Sequence, residues 1–494
     1  MTMNMNEFTP HPASYRDPSG FVFEVNGIWY RQVNQSYTTH YEHLIQSGLY
    51  NKLVEQGLLV SHEELEKDLT GTPGWYKTLL PQQIPLISYP SQWCPGQLRD
   101  AALLTLKILR IAIDHGMVLK DASPSNVQFS NGRPIFIDTL SFEKYDPSRP
   151  WVAYRQFCEC FLYPLYLHYF HNMGVGQILN AWPEGIPAAL TARLLPLKSR
   201  FHLGVWLHVV LPGKIHNDRL HTGSRPNSRI SHPEEKQIHS FSRTKLLHLA
   251  GNLEDIIKRS GKTDKGNSVW SNYYQETILS KAYLGAKEKL FREFIREISF
   301  DVVLDAGAND GFFSKILKEG KKNVIAIDSD YQCINNLYLS TLGKNDGISN
   351  LGKSVCKPPF QGTILPLCID IANLSPAIGS GNTEWVSFLQ RVNAGLVIAL
   401  ALIHHLVLGR NIPLSAAALL FSKLAQPYLI IEFVPLADPK AQALIKYKSQ
   451  SHPYNEETFE NSFRLYFIIE KKEMIPGTER VMYQMKKTDF VLAR

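Results

Sequence analysis

From residue 302 onward, apolar residues arrive in short, branched runs separated by turn-forming residues and by stretches of helical spacing. A parallel sheet with covering helices requires that alternation. Val302–Leu304 is the first run; Asp305, Gly307 and Gly311 follow where the chain must turn, and Phe312–Leu317 then reads as a helix. Val324–Ile327, Ile364–Ile369, Leu396–Leu402 and Tyr428–Phe433 predict four more strands. Phe463–Glu470 and Arg480–Lys486, on either side of Pro476-Gly477, predict an antiparallel hairpin. Upstream, Lys281–Ile298 mixes charged and apolar residues at helical spacing.

The first half has a different pattern, expected to be α+β. Phe21–Val33 alternates around Asn26-Gly27 and predicts a hairpin, residues 41–58 are helix-like, and Pro85–Tyr89 leads into a helix over Gln97–His115. Phe161–Phe170 is apolar and aromatic and reads as core. Residues 214–245 are polar, basic and aperiodic, as a linker is. The expected organisation is a domain over 1–213, a linker over 214–245 and an α/β domain over 246–494, consistent with a chain of 494 residues exceeding one core.

Strand, glycine turn, helix, strand and terminal acid make a nucleotide-cofactor cradle. A dinucleotide needs G-x-G-x-x-G against its pyrophosphate, whereas Asp305–Gly311 reads D-x-G-x-x-x-G. Its leading acid could neutralise an ammonium group, and Asp328, at the end of the second strand, could accept both hydroxyls of a ribose. The turn resembles motif I of class I S-adenosylmethionine-dependent methyltransferases, with Asn309 at the family's usual middle glycine. The resemblance implies a Rossmann-like seven-stranded methyltransferase sheet and S-adenosyl-L-methionine as cofactor, gripped by Asp305, Gly307, Asn309, Gly311 and Asp328. It also implies that Asp370 accepts from the adenine amine, with Ile371 against the ring. His404 and His405 follow the fourth strand, where an imidazole could take a proton from the methyl acceptor. The same His-His-Leu turn could instead simply begin a helix, and methyl transfer can proceed by alignment alone. Glu432 is a second candidate base, and Trp270, Tyr273 and Tyr274 are candidates for a lid or for core.

In the first half, Asp121, Pro124, Asn126, Asn131-Gly132 and Asp138 resemble the catalytic loop and metal-binding strand of the protein-kinase-like fold, including aminoglycoside phosphotransferases. The match implies Asp121 as base, with Asn126 and Asp138 as magnesium ligands on ATP. The sequence departs from that pattern: Leu119 stands at the usual His, Thr139-Leu140 follow Asp138, and no V-A-I-K occurs. Arg31 is the nearest cation on the hairpin, and a guanidinium does not simply replace the lysine. An active phosphotransferase and a structural relic both remain open. Together with Asp17–Phe21 and Ile137–Phe142, the chain resembles large bacterial methyltransferases related to nodulation host-specificity proteins, in which a kinase-like region precedes the methyltransferase domain. That implies a small-molecule acceptor such as a glycan, lipid-linked sugar or secondary metabolite; a non-catalytic binding protein is the alternative.

Composition narrows these readings. A net charge of +7, from 52 basic and 45 acidic residues without a Lys/Arg block, does not indicate nucleic-acid binding. The six cysteines lack zinc spacing and read as reduced thiols. The N-terminus lacks a signal-peptide core and no apolar run reaches membrane-spanning length, so a cytoplasmic protein without a transmembrane segment is expected.

Overall fold

Asn26 and Gly27 both take left-handed backbone, φ +54° and +80°, and close the two-residue hairpin between Gly20–Val25 (β2) and Ile28–Asn34 (β3). With Thr9–Pro10 (β1), His62–Leu65 (β4) and Trp75–Pro81 (β5) the hairpin forms a five-stranded antiparallel sheet in the order β1-β2-β3-β5-β4. The structure is a computed structural model and describes residues 8–214, 241–260, 281–342, 362–446 and 452–488. Trp270, Tyr273 and Tyr274, most of the expected linker and Cys356 lie outside the described residues.

The helix expected over 41–58 is two helices, Thr38–Gln46 and Leu49–Glu55, because Gly48 at φ +77° breaks the first. Helix Pro95–Asp114 is buried along most of its length. Two ribbons pack on it: Met117–Leu119 (β6) with Phe142–Lys144 (β9), and Val127–Ser130 (β7) with Arg133–Phe136 (β8). Phe161–Leu167 is core, as its composition suggested.

The chain divides into two compact units, and the boundary differs from the expected residue 246. Helix Arg243–Ser260 clusters with the first unit. Leu246, Ala250, Leu253 and Ile257, one stripe at helical spacing, are buried, and Arg243–Asp114 (2.5 Å) and Arg110–Glu254 (3.0 Å) pair it with helix Pro95–Asp114. Ala377–Trp385 also belongs to the first unit, where Glu384 is held by Arg16 at 3.1 Å.

The second unit is built on a seven-stranded sheet. Val302–Ala306 (β10), Asn323–Asp328 (β11), Ile364–Cys368 (β12), Ala394–Ala399 (β13) and Ala425–Phe433 (β14) are parallel, while Phe467–Met474 (β15) and Val481–Lys487 (β16) form the antiparallel hairpin. The order is β12-β11-β10-β13-β14-β16-β15, which reverses between β10 and β13. In an open parallel sheet, ligands bind outside the carboxyl ends of the strands at such a reversal. Strand β13 stops at Ala399, short of the expected Leu402, because Ala401 takes φ +54°. Strand β15 starts at Phe467 because helix Glu456–Phe463, capped by Asn455 on Thr458 N at 2.8 Å, claims the preceding residues. Val303, Leu396 and Ile430 from the sheet pack with Phe291 and Phe294 of helix Lys281–Arg296 in one core.

Candidate cofactor and acceptor site

The turn after β10 reaches left-handed backbone three times in five residues: Gly307 at φ +77°, Asn309 at +50° and Gly311 at +78°. Asparagine is among the few side chains that tolerate this region, which is why it can stand at the middle position. The turn is stitched to β11 by Gly307 N and Ala308 N, which donate to Ile327 O at 2.9 and 3.0 Å. A Cβ at Gly311 would sit 2.4 Å from Leu337 Cδ1, and one at Gly307 3.2 Å from Leu402 Cδ1, so the chain leaving β13 lies on the turn.

Asp328, half-buried at the end of β11, accepts from Asn309 N and Asp330 N at 2.9 Å each, one bond per carboxylate oxygen. The backbone N–H of Ser329 donates to it as well, and of a carboxylate's roughly four acceptor directions one is left for a ligand hydroxyl. Asp305, next to last in β10, is buried; Ser314 Oγ donates to it at 2.6 Å, and burial pushes its carboxyl up to about 7 against that hydrogen bond and the nearby Lys287 charge. Asp370 accepts from Ala372 N at 2.9 Å and pairs with the exposed Arg410 at 3.0 Å, while Ile371 is buried. An exposed pair of this kind is worth at most about 1 kcal/mol, so a ligand amine can replace it.

The two histidines differ. His404 has no exposed surface and neither ring nitrogen has a hydrogen-bond partner; His405 is partly exposed, its ring centroid 4.2 Å from that of His404. Burial, then the charges of Lys440 and Arg480, lower His405 to about 4, and burial with the neighbouring His405 and cations holds His404 well below its ordinary value. Both are therefore neutral at physiological pH, and only His405 has surface through which it could meet an acceptor.

Sequence reasoning caught only Glu432 in the densest polar cluster of the unit. Glu432 is fully buried, 2.5 Å from Lys287 Nζ and 3.2 Å from Arg480, and accepts from Tyr283 Oη at 3.0 Å; Arg480 reaches on to Asp438 at 2.8 Å. Burial raises the Glu432 carboxyl, but the two cations outweigh it and leave the group below its ordinary range. Glu432 is the anion that compensates two buried cations. The missed signal was spacing: Lys287, Phe291 and Phe294 lie on one stripe of their helix, and all are buried.

In the first unit the structure brings Asp121, Asn126 and Asp138 together. Asp121 is pushed up by burial and receives hydrogen bonds from Ser123 N at 2.9 Å and from the Asn126 and Gln156 side chains. The arrangement does not fit magnesium on Asn126 and Asp138. Asp138 is held by Arg31 at 2.7 Å, by Ser141 Oγ at 2.5 Å and by Leu140 N at 2.9 Å, and Asn126 Nδ2 donates to Ser141 Oγ at 3.1 Å. Among the described residues no group of three or more His, Cys, Asp or Glu is arranged to hold a metal, and no helix is long and apolar enough to cross a membrane.

No protein-family model matches the chain. Among solved structures it is similar to the N-methyltransferase NodS of Bradyrhizobium japonicum WM9 in complex with S-adenosyl-L-homocysteine, 12% identical over 46% of this chain and 96% of that one, TM-score 0.31. It is similar also to magnesium protoporphyrin IX methyltransferase of Synechocystis PCC 6803 with bound SAH, 15% identical over 46% and 93%, TM-score 0.28. At 29% identity over 484 residues, 97% of its own length and 96% of the other's, the chain is a nearly end-to-end relative of the nodulation protein NoeA of Rhizobium meliloti (strain 1021).

Proposed function

We propose that the protein is an S-adenosylmethionine-dependent methyltransferase acting on a small-molecule or glycan acceptor, with its chemistry in the second unit. The observation that carries this reading is the Asp305–Gly311 turn pinned by Asp328 at the strand-order reversal. The half-buried carboxylate holds the turn through Asn309 N and still has acceptor capacity for a ligand hydroxyl. The cofactor, when bound, supplies a methyl group on a sulfonium sulfur. Asp328 would hold a ribose hydroxyl, Asp305 would face the ammonium of the amino-acid end, and Asp370 with Ile371 would border the adenine. His405, neutral and partly exposed, would accept the nucleophile's proton, with His404 behind it as a packing partner. The Arg31–Asp138 pair supports reading the first unit's constellation as structural.

Calorimetric titration of the full chain with S-adenosylmethionine tests this reading. Saturable binding is expected in the native protein, with a loss of at least about 2 kcal/mol, some thirtyfold in affinity, in Asp328→Ala if circular dichroism is unchanged. Absence of binding to the native protein, or undiminished binding to the variant, would overturn it. A parallel titration with ATP and magnesium is expected to give no magnesium-dependent heat.

A further inference from the structure

The segment after Arg193 breaks the usual division between an apolar inside and a polar outside. Leu197–Phe201 forms a short turn of helix, and helical turns continue over Leu203–Val205 and Trp206–Val210. The inner side is ordinary: Ser199, Val205 and Val209 are buried, and His208 meets Tyr154 Oη at 2.7 Å and Asn252 Oδ1 at 2.8 Å. The outer side should then be polar. Instead it carries Leu197, Phe201, Leu203, Trp206, Leu207 and Leu211, exposed by 72, 93, 69, 45, 37 and 39%. Exposed Arg193, Lys198, Arg200 and Lys214 lie among them, and no Asp or Glu occurs between Glu184 and Lys214.

Single exposed apolar residues are common, but a run of six large ones marks a surface that meets a partner. The charges narrow that partner. A second copy would bring the same cations against these and no acid to meet them, so like charges would oppose self-association. An anionic bilayer answers both features: its acyl boundary takes Trp, Phe and Leu side chains, and its phosphates take the interleaved Lys and Arg.

We propose that this face is a docking surface for an anionic lipid bilayer, on which the protein lies without spanning it. Flotation of the full-length protein with phosphatidylcholine vesicles, with and without phosphatidylglycerol, is the test. Binding is expected only to the anionic vesicles and is expected to weaken at high salt. A triple Leu197→Ser, Phe201→Ser, Leu203→Ser variant and, separately, a Lys198→Glu, Arg200→Glu variant should each lower the bound fraction at least about tenfold with unchanged melting temperature. The charge reversal keeps the test valid should the triple variant not fold. Failure to bind anionic vesicles, or equal binding by the variants, overturns the proposal. A dimer in sedimentation that the variants dissolve would assign the face to a second copy, and vesicle binding that appears only after deletion of residues 215–240 would assign it to that segment; either result also overturns it.

Discussion

Asp305 carries a burden for the fold that is an asset for a cationic ligand. Its carboxyl titrates at about 7 when folded and near 4 when unfolded. The folded protein therefore holds a proton that the unfolded chain releases, and this contribution to stability is full below pH 4 and lost as pH rises to 7. Asp305→Asn should remove that loss, gaining on the wild type by up to ~4 kcal/mol between pH 4 and 7 in denaturant titrations, while losing affinity for S-adenosylmethionine. A constant stability difference across that range would refute the assignment. His405 makes a complementary prediction: since its imidazole is neutral above about 4, the rate of methyl transfer should show no histidine limb between pH 5 and 8, and a limb near 6.5 would exclude it as the base in this environment. Glu432→Leu should cost about 3–5 kcal/mol by leaving Lys287 and Arg480 buried without their shared anion. Asp305 and Asp328 were legible in the sequence because each ends an apolar run. The cluster of Tyr283 and Lys287 with Arg480 was not, because the helix that carries the first two lies far along the chain from Arg480 and they meet only once the sheet is assembled.

The glycine turn shows why its spacing matters. Gly311 combines a left-handed φ with a neighbour that leaves no room for a Cβ, so Gly311→Ala adds backbone strain to a clash with Leu337. We expect a loss of about 2–5 kcal/mol from the two causes together. Leu337→Ala in the same chain should relieve the clash alone, leaving the φ strain of about 1–2 kcal/mol, which a double-mutant cycle would measure. A variant as stable as the wild type would mean that the turn is not under this constraint. At this scale the sequence was informative: apolar runs located all five parallel strands and the closing hairpin, since doubly buried strands are short, branched and bounded by turns. The errors fell at strand ends. Ala401 in a left-handed conformation and the capped helix Glu456–Phe463 are local decisions that apolar content does not reveal.

At the scale of the whole chain, the polar composition of residues 214–245 pointed to a boundary but not to its far side. Helix Arg243–Ser260 belongs with the first unit because Leu246, Leu253 and Ile257 find their partners there. At about 2 kcal/mol for each of these three side chains, a fragment ending at residue 260 should be roughly 6 kcal/mol more stable than one ending at 242, as judged by chemical denaturation. Equal stability of the two would detach the helix from the unit. The first unit also takes Ala377–Trp385 from between β12 and β13, so contiguity in sequence and membership in a unit part company. For a chain made from its N-terminus, this sets a schedule. The part synthesised first cannot be completed until residue 385 of 494 has been added. At ordinary elongation rates that is on the order of ten seconds after residue 260, an interval in which Arg16 must wait on the ribosome for Glu384.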